Sequence, residues 1–106
     1  DFSGLAVRST DDIRRIEAAV DAVLGPVGHK VKDIVNYDRF SILPELIDDY
    51  IAMVKGVVER HYHDVTRYTA STFLRMKLGE ALAKRQMAPK ISQSEADARQ
   101  QLTGSQ

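Results

Sequence analysis

The chain contains no cysteine. That excludes disulfides, thiolate nucleophiles and cysteine-ligated zinc sites at once, and it fits a cytoplasmic location. Net charge is missing too. Fifteen basic residues balance 15 acidic ones, giving a formal charge of zero. Binding to a phosphate backbone needs a basic excess or stripe, so nucleic acid is not an expected partner. Adsorption to an anionic membrane needs the same excess. No apolar run approaches the roughly 20 residues that span a bilayer, and no stretch carries a signal-peptide pattern. Motifs of catalysis are also lacking. There is no G-x-S-x-G, no Walker-type loop and no G-x-G-x-x-G. Gly25-Pro26-Val27-Gly28 reads as a turn, and the carboxylates are scattered with no acid/base pair evident from spacing.

What is present is enough for one domain. The 106 residues are 43% apolar, which suits a single globular core of modest stability. The chain opens on Asp1 and enters patterned sequence almost at once, so we expect a domain cut from a longer polypeptide. Strand-like and helix-like segments alternate. Residues 2–8 read as a strand, and Ser9-Thr10-Asp11-Asp12 starts a helix with Ile13, Ile16, Val20, Val23 and Leu24 at helical spacing. Gly25-Pro26 ends it. Residues 30–37 read as a second strand and 36–41 as a polar loop. A long helix over 44–61 buries Leu46, Tyr50, Met53, Val54, Val57 and Val58. Residues 65–70 read as a third strand. Ser71-Thr72 caps a helix with Phe73, Leu74, Leu78, Ala81 and Leu82 on one face, and Gly79 inside it suggests close packing on the sheet. Pro89 to Ser92 suggests a short edge strand, and Ser94-Glu95-Ala96-Asp97 a capping box for a last helix ending near Leu102.

The expected fold is therefore α/β: a small four-stranded, mostly parallel sheet with about four helices in βαβαβαβα order. Residues 1–102 form the domain and 103–106 a disordered tail. In such a sheet, ligands bind at the carboxyl ends of the strands. Arg8-Ser9-Thr10-Asp11, Asn36-Tyr37-Asp38-Arg39 and Arg67-Tyr68-Thr69 should meet there, with Arg75 one turn into the third helix. Asn36, Tyr37, Asp38, Arg67, Tyr68, Thr69 and Arg75 are thus the candidates for holding a small anion or nucleotide. The plainer reading is capping plus surface ion pairs, such as Asp38 with Arg67. Ser41, between the second strand and the longest helix, is a candidate phosphorylation site. The more common role for a hydroxyl there is to cap the helix. His61-Tyr62-His63 holds a histidine pair that does not share a helix face, so no metal site is expected.

The segments VNYDRFSILPELIDDYIAMV and DVTRYTASTFLRMKLGEAL, with FSGLAVRSTDDI before them and PKISQSEADARQQL after, resemble the C-terminal extension of some bacterial acyl-CoA:acetate/3-ketoacid CoA-transferases, relatives of propionate CoA-transferase. The most specific parts are Val35-Asn36-Tyr37-Asp38 and Arg67-Tyr68-Thr69 with Phe73-Leu74-Arg75. The resemblance implies a parent enzyme that moves coenzyme A between carboxylic acids through a glutamyl thioester. The catalytic glutamate of that family lies in upstream domains, so no catalytic residue carries over and no cofactor is expected in this domain. The implied role is accessory: docking on the catalytic domains of the parent, forming a homo-oligomer or sensing a ligand. The element order also resembles a STAS domain, in which a phosphorylatable Ser or Thr precedes the helix after a central strand. Ser41 falls near that place, although NYDRFSIL lacks the usual phosphosite sequence. The alternative is thus a STAS-like regulatory or anion-binding module.

Overall fold

The computed structural model describes residues 2–104. Four strands and four helices follow one another: β1 Ala6–Val7, α1 Thr10–Leu24, β2 Val31–Asn36, β3 Ser41–Ile42, α2 Ile47–His61, β4 Tyr62–Tyr68, α3 Thr72–Lys84 and α4 Glu95–Gly104. Single 3₁₀ turns, Gly25–Val27 and Pro44–Leu46, follow α1 and precede α2.

The chain is α/β with parallel strands, but the expected four-stranded sheet is not formed. The strands make two separate pairs, β1 with β3 and β2 with β4. The first pair is only two residues long, because the segment before it turns away at Gly4, where φ is +78°. The segment before β1 still touches β2, where Phe2 donates its N–H to the Asn36 carbonyl at 3.1 Å. The expected edge strand at Pro89 to Ser92 shrinks to one parallel bridge, Ser92 beside Tyr68. Pro89 lacks an N–H and, with Lys90, is exposed, so only the buried end of the segment, Ile91 and Ser92, reaches the strands.

The β2–β4 pair is the centre of the molecule. Its register runs from Val31 beside Tyr62 to Asn36 beside Tyr68, with an irregularity at Val31/Lys32. Side chains alternate between faces. α4 packs on one face, where Thr66 donates its hydroxyl to the Ala98 carbonyl at 2.9 Å. α2 covers the other face and is flanked by α1 and α3. The core collects Tyr50, Ile51 and Val54 from α2, Leu74, Leu78 and Leu82 from α3, Val7, Ile13, Tyr37 and Phe40.

Local chemistry explains most boundaries. Ser9 caps α1 by accepting from the Asp12 N–H, and Ser71 caps α3 by accepting from Leu74. Pro44 opens the 3₁₀ turn, so the long helix itself begins at Ile47 and not at Pro44. α2 passes into β4 with no loop between them, and the strand starts at Tyr62, three residues earlier than its apolar pattern suggests. α4 continues through Thr103 and Gly104 instead of ending in a tail at Leu102, while Ser105 and Gln106 lie outside the described residues. Gly79 packs closely, though not on the sheet: an added Cβ would lie 3.0 Å from the Pro89 carbonyl oxygen. Phe73, expected in the core, is 57% exposed.

Candidate functional site

β2 and β4 end side by side, and the chain leaving them builds a polar rim. Asn36 turns its amide oxygen onto the Asp38 N–H at 2.8 Å, a short loop closed by its own first residue. Asp38 then reaches across to the other loop, accepting from the Ala70 N–H at 2.9 Å. Its carbonyl accepts from Gly4 at 3.0 Å. Thr69, fully buried, accepts from the Ser71 N–H at 3.2 Å and donates its own N–H to Ser92. Arg75 lies one turn into α3 and folds back, donating to the Thr69 carbonyl at 2.7 Å and to the Thr72 hydroxyl at 3.1 Å. Asn36, Asp38, Thr69 and Arg75 thus come together as the spacing suggests. Each spends at least one side-chain polar atom on a group of these loops.

The other three candidates leave the rim. Tyr37 points inward and is 2% exposed, edge-on to Phe2 and Phe40, with its hydroxyl 3.0 Å from that of Tyr50. Tyr68 lies on the α4 side, beside Glu95 and Arg99. Burial and the nearby Glu95 carboxylate push its hydroxyl pKa up. Arg67 lies on the α2 side, 5% exposed, and makes no ion pair with Asp38. Ser41 sits in β3, exposed, with its N–H bonded to the Leu5 carbonyl. It does not cap α2, because the turn Pro44–Leu46 intervenes and the helix starts on Leu46 without a side-chain cap. The histidines part company. His61 ends α2 with its Nε2 2.6 Å from Asp21, and His63 is exposed in β4. Among the described residues no group of three His, Cys, Asp or Glu side chains is placed to hold a metal ion.

No family model matches the chain, and no curated protein or solved structure shows significant similarity to it.

A second place stands out in the core. Between β4 and α2 lies a small cavity of about 30 Å³, lined by Ile16, Val35, Met53, Val54 and Val57, with Arg67 in its wall. Polar atoms are few around it. Tyr62 donates its hydroxyl to Asp33 at 3.1 Å, and burial, with that carboxylate, pushes its pKa up to about 12. Burial, then the Tyr37 hydroxyl beside it, raises Tyr50 well above the ordinary tyrosine value. Two tyrosines, Tyr37 and Tyr62, and one guanidinium therefore share a largely apolar chamber. Strand alternation carries the signal for this placement. Arg67 has the parity of Val65, the apolar residue that faces α2, whereas Thr66 and Tyr68 have the other parity. Tyr62, which also lines the chamber, has no such signal, because the start of β4 is not apolar.

Proposed function

We propose that this chain is a non-catalytic accessory domain that docks on the catalytic domains of a bacterial acyl-CoA/acetate CoA-transferase-like enzyme, with coenzyme A handled by those domains. One observation carries the reading. Asn36, Asp38, Thr69 and Arg75, at the strand ends where a domain of this type would bind a substrate, each spend polar atoms on closing the chain's own loops. A catalytic or ligand-reading rim needs donors and acceptors that face outward. The sequence resemblance supplies the identity of the partner.

The surface supports docking as well. Phe73 and Met76, three residues apart on α3, are 57% and 52% exposed. Residues at that spacing share a helix face, so α3 shows the solvent an apolar pair beside the rim. Docking would bury it. The test uses the catalytic domains and this chain supplied separately. The isolated chain should show no CoA-transfer turnover and should bind the catalytic domains. Phe73→Asp with Met76→Asp should weaken that binding by about tenfold or more while leaving the fold intact. Turnover by the isolated chain, or binding indifferent to both substitutions, would overturn the proposal.

A further inference from the structure

We infer that Arg67 anchors a binding site for a small carboxylate monoanion, seated in the apolar cavity between β4 and α2. This site lies wholly within the chain and does not depend on any catalytic partner. Arginine is charged at every accessible pH and carries five N–H donors. Arg67 is 5% exposed. Among the described residues, no carboxylate lies within ion-pair distance of it and no acceptor takes a hydrogen bond from its guanidinium. The hydroxyls nearby are engaged elsewhere, Tyr37 with Tyr50 and Tyr62 with Asp33. None of the donor nitrogens is sealed away without a partner, so they open on accessible space. A buried cation without a counter-charge is costly, and an anion arriving beside it removes that cost.

Size and polarity select the anion. The cavity of about 30 Å³ has room for one or two waters or a few heavy atoms. Its remaining walls are aliphatic and aromatic, with Phe2, Tyr37 and Tyr62 among them. One guanidinium balances one negative charge, so a sulfate or phosphate dianion would leave excess charge buried. A carboxylate matches the planar fork with two parallel hydrogen bonds. Its hydrogen or methyl group would then face Ile16, Val54 and Val57. Formate and acetate fit this space, and longer chains exceed it. Arg67, Val58 and Val65 also line an open surface groove with Lys55, His63 and Gln86, so the guanidinium's residue lies between the cavity and the surface. Glu59 and Asp64 line the same groove and moderate its charge.

The test titrates the full chain with sodium formate, acetate, butyrate and sulfate at ionic strength held constant with chloride. Thermal unfolding and the side-chain Nε–H resonance of Arg67 are both followed. Formate and acetate should give saturable changes, with Tm rising by roughly 10 °C at a hundredfold excess over Kd. Butyrate should bind at least about tenfold more weakly, from the missing space. Arg67→Met should abolish the response, and Val57→Leu, which fills the cavity, should reduce it. Should Arg67→Met fail to fold, the Arg67 resonance of the unaltered chain decides. No saturable shift of that resonance up to about 100 mM acetate would overturn the site. So would an equal response to sulfate, or an undiminished response in Arg67→Met.

Discussion

Tyr37 and Tyr50 face one another in the core with hydroxyls 3.0 Å apart and rings 2% and 0% exposed. Each hydroxyl is the other's partner, so removing one strands the other. Tyr50→Phe or Tyr37→Phe alone should cost about 1–3 kcal/mol, the desolvation of an unpaired buried hydroxyl. The double variant should cost less than the two single costs added together, because neither hydroxyl is then left behind. Urea unfolding of the four proteins reads this as a coupling energy, and strict additivity would show that the hydroxyls are satisfied elsewhere. A second prediction concerns Gln86. It follows the last turn of α3 with φ at +58°, donating its N–H to Ala83 while Met87 donates to Leu82. These are the paired bonds of a helix end that favours glycine. Gln86→Gly should therefore stabilise the chain by about 0.5–1 kcal/mol, since it relieves a left-handed backbone at little loss of contact. A lowered urea midpoint would contradict that assignment.

α1 and α2 are clasped at their C-terminal ends by charge. Asp21 lies 2.6 Å from His61 Nε2 and 3.1 Å from Arg60, which also reaches Glu17. The hydrogen bond from His61, then that from Arg60, holds the Asp21 carboxyl below its ordinary value of 3.8. A carboxyl whose pKa is lower in the folded chain than in the unfolded one stabilises the fold above the unfolded value. That contribution disappears as pH falls through the folded value. Asp21→Asn should therefore lower the urea midpoint at pH 6, and the gap from the unaltered protein should close below about pH 3.8. A gap independent of pH would mean that the clasp acts through packing. None of this clasp is legible in the sequence, since its partners lie 39 and 40 residues apart. What is legible follows from local rules. The caps at Ser9 and Ser71, the apolar stripe of α2 and the parity of Arg67 all rest on spacing of a few residues. Asn36, Asp38, Thr69 and Arg75 are placed correctly together because strand ends converge in any parallel pair. The strand-end rule does not distinguish side chains that face outward from those that turn in, so by itself it groups Tyr37 and Arg67 with their neighbours, and only strand parity separates Arg67. Phe40 and β3 are hidden for a different reason. A two-residue strand inside a polar stretch has no periodicity to read, yet Phe40 is 3% exposed.

On the scale of the molecule, a sheet of two paired strands is marginal without cover on both faces. The β2–β4 pair has α2 on one side and α4 on the other, and the radius of gyration of 13.1 Å matches a compact domain of this length. α4 is short and its sequence is mostly polar, so propensity alone does not hold it in place. What fixes it is the fully buried Ala98 against the strands, the Thr66 hydroxyl on the Ala98 carbonyl, and Ser94 accepting from the Asp97 N–H at 3.3 Å. Ala98 is small where the helix lies directly on the sheet. A larger side chain there must push the layer outward, so Ala98→Leu should destabilise by about 1–3 kcal/mol. A chain ending at Gln93 goes further and uncovers the whole face that carries Ile34, Thr66 and Tyr68. It should lose its sharp unfolding transition, with a lower denaturant m-value and increased binding of a hydrophobic dye. Full cooperativity in that truncated chain would show that α2 and the helices beside it are sufficient, and that α4 is an ornament on a one-sided sheet.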